Sequence, residues 1–381
     1  MGNSIIPGEA YKYIYMLITL ILIFVRSVSV TDGGILKPEN RKSTYNKAFV
    51  LGLFYIIFFG TRPNYGLAMA DTSGYASVYK IQQMYHEPPH VDWENGKEVI
   101  WNWICDSMAY ADIPVWIWFT VVAAIYIMFN LWGIKRIFPN HVYVVFLFYV
   151  VFFLFYSGGI NGIRNADAYS IVFFAISLCT VPKVRNYIWI GILFFIAYQI
   201  HSSVIITITA FVVSRFFIKR TNITLLVWVG AIIITLVAGS SLAQFASTLT
   251  EDNRAAKYLQ YAEDTQMMRA AFSHIGFRWD FLIFSALPIA MGWYVTVKRK
   301  IDDSFYQCLL NTYILANAIW IIFIYAAFSN RFAMLSWCIY PYVLCYPLIK
   351  FNLWPPKVQA QRAALFLGGM FCFTIYMYNK L

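Results

Sequence analysis

Charged side chains are scarce in this chain. They make up 12% of its 381 residues, against roughly 25% in a soluble domain, too few to cover a water-soluble globule of this size. Histidine (5) and cysteine (6) are also few. Cys105, Cys179, Cys308, Cys338, Cys345 and Cys372 are scattered, with no CxxC and no Cys/His cluster. Neither a disulfide framework nor a zinc site is indicated. No small-residue cleavage site follows the first apolar run, 11–30, so that run reads as a first helix and not as a removable leader.

Apolar residues are what the chain has in quantity: 60% hydrophobic and 19% aromatic, with a mean hydropathy of +0.61. Apolar runs recur from end to end, many near the ~20 residues that cross a hydrocarbon core of ~30 Å. The sequence therefore predicts an all-α polytopic membrane protein, a single integral domain over 1–381. Its twelve expected helices are 11–30, 47–61, 113–133, 141–157, 166–181, 187–200, 202–216, 223–241, 279–297, 304–327, 332–349 and 363–378. Two intervening segments, 62–112 and 242–278, are too long to be turns, and long loops of that kind often carry function.

Charge sets the expected orientation. Six basic stretches, "KPENRKSTYNK", "GIKRIF", "PKVRN", "SRFFIKR", "VKRKIDD" and "KFNLWPPKVQAQR", have few acids in or beside them (Asp32, Glu39, Asp302, Asp303). Short basic loops face the cytoplasm. All six share one side only if an even number of crossings separates "PKVRN" from "SRFFIKR". The run "YIWIGILFFIAYQIHSSVIITITAFVVSRF" is therefore expected to break at "QIHSS" into two helices with His201 at the tip, both chain ends lying outside. The formal charge of +11 is thus topogenic, which removes a nucleic-acid partner.

In that topology Arg62, Asp71, Arg164, His201, Arg278, Asp280 and Arg331 collect on the outer face. For Arg62 and Arg331 a headgroup anchor competes with a ligand-binding role. Arg278 can simply pair with Asp280, two residues on. His201 is either a packing residue or a proton carrier, since ionisable groups within membranes are costly and mark sites. Asp71 suits a helix N-cap or the acceptance of a hydroxyl proton. Arg164 stands behind "GGING", where glycines can admit a ligand to the backbone and a helix expected from Asn165 turns its positive end to the same place. A guanidinium there makes a receptor for phosphate or pyrophosphate. The segment 62–112 adds tryptophans and carboxylates of the kind that line sugar sites, although amphipathic packing on the membrane explains them equally.

Five stretches, "DTSGYASVY", "GINGIRNADA", "AYQIHSSVII", "GFRWDFLIF" and "SNRFAMLSW", resemble in order and spacing the EpsG-like branch of Wzy-type polysaccharide polymerases. The resemblance spans about residues 45 to 345 and departs from the family pattern at "NADA" and at Ile200, where Phe is common. It implies a GT-C-like, metal-independent membrane glycosyltransferase without a cofactor, in the bacterial inner membrane and facing the periplasm. Its substrates would be undecaprenyl-pyrophosphate-linked oligosaccharides, donor and acceptor alike, and a Wzz-type chain-length regulator is a candidate partner beside the bilayer. By the same resemblance Arg164, Arg278 and Arg331 hold the donor pyrophosphate, each contributing about 2–4 kcal/mol to the transition state. Asp71 or His201 handles the acceptor proton, and Arg62, Tyr75, Asn161 and Asp280 are candidate substrate contacts. An O-antigen ligase and a lipid-linked oligosaccharide flippase are the rival readings. The second is disfavoured because no internal repeat is evident.

Overall fold

The computed structural model describes residues 6–28, 34–65, 69–93, 97–242, 245, 276–326 and 329–380. Among them there is no strand, and the chain divides into two compact units, 1–205 with 348–380 and 206–347.

In the first unit the helices are α1 (Gly8–Val28), α2 (Arg41–Gly60), α3 (Ala70–Tyr85), α4 (Val99–Tyr110), α5 (Val115–Ile137), α6 (Val142–Val151), α7 (Phe153–Ile160), α8 (Ile163–Ser177) and α9 (Val184–Ile200). α10 (Val204–Phe216) leads into the second unit, which holds α11 (Thr221–Ala238), α12 (Trp279–Trp293), α13 (Ser304–Ile322) and α14 (Ser329–Trp337). α15 (Tyr340–Lys350) returns the chain, and α16 (Pro356–Lys380) belongs to the first unit.

Each of the twelve expected segments holds a helix, and the long run does break at His201, between Ile200 and Val204. Among the described residues six helices, or seven counting one bent pair, are long and apolar enough to cross a membrane. Of the rest, α2 and α16 have 20 and 25 residues, whereas α9 has 17 and α10 has 13, so α10 reaches only about 20 Å. Segment 62–112 is not a loop, since it holds α3 and α4. Of segment 242–278, residues 243–244 and 246–275 lie outside the described residues.

The first unit is built on α5, which packs along α2 and α8. Gly60 makes the α2–α5 approach possible, because a Cβ there would lie 2.8 Å from the Thr120 Cα. The bent pair is α6 and α7, which turn by 75° at Phe152, an extended residue with φ −73° and ψ 130°. A break in an apolar environment frees carbonyls that water cannot reach, and neighbouring hydroxyls must take them. Here Thr374 donates to the Val151 carbonyl at 2.7 Å, Tyr15 to that of Val150 and Tyr378 to that of Phe153. The Ser157 N–H in turn donates to the Tyr378 hydroxyl at 3.1 Å. α1 and α16 thus stabilise the bend that sets the direction of α7 and the start of α8.

The second unit closes around Trp320, Trp337, Tyr313 and Tyr340, all fully buried. Its helices are joined by polar side chains in the manner of membrane bundles. Trp337 Nε1 donates to Ser285 Oγ at 2.7 Å, the Asn317 amide to Ser336 Oγ at 2.9 Å and Trp228 Nε1 to Asn317 Oδ1 at 2.8 Å.

Candidate functional site: a carboxylate shared by Arg164 and His201

The turn between α7 and α8 is only Asn161 and Gly162, whose N–H groups both bond the Ser157 carbonyl, at 2.8 and 2.9 Å. α8 begins at Ile163, so Arg164 lies in its first turn and not before it. Gly158 and Gly159 do not open the backbone to a ligand, as their sequence position suggests. They are used for packing: a Cβ on Gly158 would lie 2.9 Å from the Ala166 Cβ, and one on Gly159 2.4 Å from the Phe59 ring.

From α8 the Arg164 side chain reaches α3 and the residue that precedes α4. Its Nε donates to the Tyr75 hydroxyl at 3.2 Å, with the guanidinium 5.8 Å from the Tyr75 ring centre. Its Nη1 forms an ion pair with Glu98 Oε2. The other Glu98 oxygen takes His201 Nδ1, and the Ser202 N–H also bonds this carboxylate. One carboxylate thus gathers donors from the start of α8 and from the α9–α10 break. The side-chain exposures are 14% for Glu98 and 21% for both Arg164 and His201, so the cluster is neither open to bulk solvent nor sealed.

Burial tends to raise the Glu98 pKa, but the hydrogen bond and charge of His201, the Arg164 guanidinium and the Ser202 N–H outweigh it, and the net shift is downward. Glu98 is therefore ionised at neutral pH. An ionised carboxylate only accepts, so Nδ1 of His201 carries the hydrogen and Nε2 is left for other chemistry. Glu98 is the residue that sequence reasoning missed. It is one of seven acids in the 62–112 segment, and its partner His201 is 103 positions away.

The other expected site residues distribute as follows. Asp71 lies in the first turn of α3, where the N-cap position is Met69. Being four residues before Tyr75, it shares that residue's helix face. Asn161 caps α7, and its Oδ1 is buried with no hydrogen-bond partner among the described residues. Arg62 is 3% exposed and so cannot serve as an exposed headgroup anchor. It donates to the Phe59 carbonyl at 2.6 Å and to Thr72 Oγ1 at 3.0 Å, with its guanidinium 3.6 Å from the Phe119 ring centre. Burial pulls its pKa down to about 9, which leaves it charged at neutral pH. Its Nη2 has no hydrogen-bond partner among the described residues, and neither does the buried Oδ1 of Asp167.

In the second unit Arg278 does pair with Asp280 as its spacing suggests, Nε to Oδ1 at 2.9 Å and Nη2 to Oδ2 at 2.7 Å. Its guanidinium lies 3.6 Å from the Phe281 ring centre. The Arg331 backbone belongs to α14, and its side chain lies outside the described residues. Among the described residues no three His, Cys, Asp or Glu side chains converge as a metal-ligand group.

No curated protein and no solved structure matches this chain. The model of the EpsG family matches residues 47–381, a span that runs from within α2 through α16 and takes in the whole Tyr75–Arg164–Glu98–His201 cluster, and the chain belongs to the EpsG family.

Proposed function

We propose that this protein is a polysaccharide repeat-unit polymerase. It transfers a glycan from undecaprenyl pyrophosphate to the terminal sugar of another lipid-linked unit, at the periplasmic face of the bacterial inner membrane. Membership of the EpsG family supports polymerase-like glycosyl transfer in polysaccharide synthesis. The observation that carries the reading is the meeting of Arg164 and His201 on one carboxylate. It puts an anion receptor and a proton acceptor within one side chain of each other.

In the proposed reaction the bond between the donor sugar's anomeric carbon and its phosphate oxygen breaks, and one from that carbon to the acceptor hydroxyl oxygen forms. The hydroxyl proton goes to His201 Nε2. The pyrophosphate leaves with the bonding electron pair, neutralised by Arg164, whose planar fork suits phosphate oxygens. Tyr75 and Asn161 are proposed as substrate contacts, and Asp71 is the alternative proton acceptor. Arg278 and Arg331, in the second unit, are proposed to bind pyrophosphate through the same chemistry.

The test is the polymer ladder in cells that lack the gene and are complemented with Arg164→Ala or Arg164→Lys at matched membrane expression. Loss of the ladder in the alanine variant, with single repeat units still capping the lipid A core, supports the polymerase. Loss of the single-unit band as well would move the protein to ligation or flipping. An unchanged ladder would overturn the role of Arg164.

A further inference from the structure

The Arg164–His201 receptor is already filled, and what fills it belongs to the chain. A carboxylate that takes a guanidinium on one oxygen, an imidazole N–H on the other and a backbone N–H besides occupies the position of a bound anion. Its backbone is in the left-handed region, φ 57° and ψ 46°, which a non-glycine residue adopts at a cost. Helix capping does not explain that strain, because Glu98 precedes α4 without making a side-chain cap hydrogen bond. With that backbone its carbonyl accepts the Asn102 N–H at the start of α4, while its carboxylate meets Arg164 and His201. α4 itself is fixed, since it packs on α3 and α9 and buries Val99 and Trp101. The side chain of Glu98, with its free torsions, is the part able to yield.

We propose that Glu98 is a built-in stand-in for the donor's pyrophosphate. It occupies Arg164 in the resting enzyme and gives up that guanidinium when the donor binds, while keeping its bond to His201 Nδ1–H. This rests on the polymerase reading above and adds an order of events to it. Pyrophosphate and carboxylate repel each other and compete for the same cation, so donor binding requires the exchange. Once relieved of Arg164, Glu98 is a stronger acceptor for the His201 N–H. Nε2 then becomes a better base for the acceptor hydroxyl at the moment a leaving group is present. The proton ends on the imidazole, the electron pair on the departing pyrophosphate, and Glu98 can return to Arg164 when the product lipid leaves.

The experiment is binding of farnesyl pyrophosphate to the full-length protein in zwitterionic nanodiscs, comparing wild type with Glu98→Gln, Glu98→Asp and Arg164→Ala. Glu98→Gln removes the competing charge at constant size and is expected to tighten binding about ten-fold. Glu98→Asp, with a shorter reach, should tighten it less and covers the case in which the glutamine variant does not fold. Arg164→Ala should lose binding. If binding depends on Arg164 but the Glu98 variants bind equally or more weakly, Glu98 is a strut for the receptor and the exchange is overturned while the pyrophosphate reading stands. If the wild type and both Glu98 variants all fail to bind, the pyrophosphate reading and the exchange fall together.

Discussion

Arg164 and Arg62 lie in the same unit, and the protein treats them in opposite ways. Arg164 is paired with a carboxylate that it shares with His201, and its side chain is 21% exposed. Arg62 is 3% exposed and, among the described residues, is held by a carbonyl, a hydroxyl and a ring. A buried guanidinium held by neutral groups cannot give them up without leaving more polar atoms unbonded. One paired with a carboxylate at a partly exposed site can, by the exchange proposed above, trade that partner for another anion. The first arrangement is suited to holding a structure, the second to turnover. Thr72 makes the holding role concrete, for it takes Arg62 and donates to the Ile160 carbonyl at 2.5 Å, tying α3 to the end of α7 just before the Arg164 turn.

Substitution is the most direct way to break this contrast. Arg164→Ala is expected to cut polymer formation about 10²–10³-fold, the usual effect of deleting one electrostatic donor to a leaving group or oxyanion, with the melting temperature changed by no more than a few degrees. Arg62→Ala should do the reverse. It strips the Phe59 carbonyl of its partner and opens a hole beside Phe119, at a cost of about 2–4 kcal/mol. The loss should appear as a lower melting temperature in detergent and a lower membrane yield, with activity per folded molecule within a few-fold of wild type. A hundred-fold loss of activity per folded Arg62→Ala molecule would instead move Arg62 into the substrate site.

The sequence and the structure part company along the same line. Helix positions were legible because apolar runs are a local signal, and α1, α5, α11 and α13 lie within a few residues of the expected spans. The Arg278–Asp280 pair was legible because its partners are two residues apart. The bend at Phe152 was not. No proline or glycine marks it, and it is stabilised by Tyr15, Thr374 and Tyr378, which come from opposite ends of the chain. Glu98 was illegible for the same reason, because nothing near it in sequence distinguishes it from Glu94 or Glu87. Only the packing of α4 on α9 brings it to His201. Arg164 and His201 stand out in the sequence as isolated charges, while their pairing through Glu98 depends on contacts that no local pattern encodes.

Acid titration sharpens the contrast at smaller amplitude. The folded-state pKa of Glu98 lies below its ordinary value, so its contribution to stability is complete above about pH 4.3, the unfolded carboxylate value. That contribution is lost as the pH falls through the folded value. Asp106 has the opposite sign, because burial raises its pKa and its charged form opposes folding. Acidification from pH 6 to 3 should therefore lower the melting temperature of the wild type more than that of Glu98→Gln, and Asp106→Asn should show a steeper acid loss than either. Equal slopes in wild type and Glu98→Gln would mean that the carboxylate gains nothing from Arg164 and His201 when folded.

The smallest effect is expected at Arg278, whose pairing falls between the two extremes. Its carboxylate, Asp280, is two residues away on the same helix start, so the bond between them closes only a short local loop. Both side chains are partly exposed, 15% and 24%, and exposed or half-exposed pairs contribute about 0–1 kcal/mol. Asp280→Asn should thus shift the melting temperature by about two degrees or less, while leaving Arg278 less neutralised and more available to an anion. If Arg278 binds pyrophosphate as proposed, Asp280→Asn will tighten farnesyl pyrophosphate binding by a few-fold, a weaker copy of the gain expected from Glu98→Gln. No change in affinity would assign the pair to fixing the start of α12 over Phe281 and withdraw the pyrophosphate-binding role from Arg278.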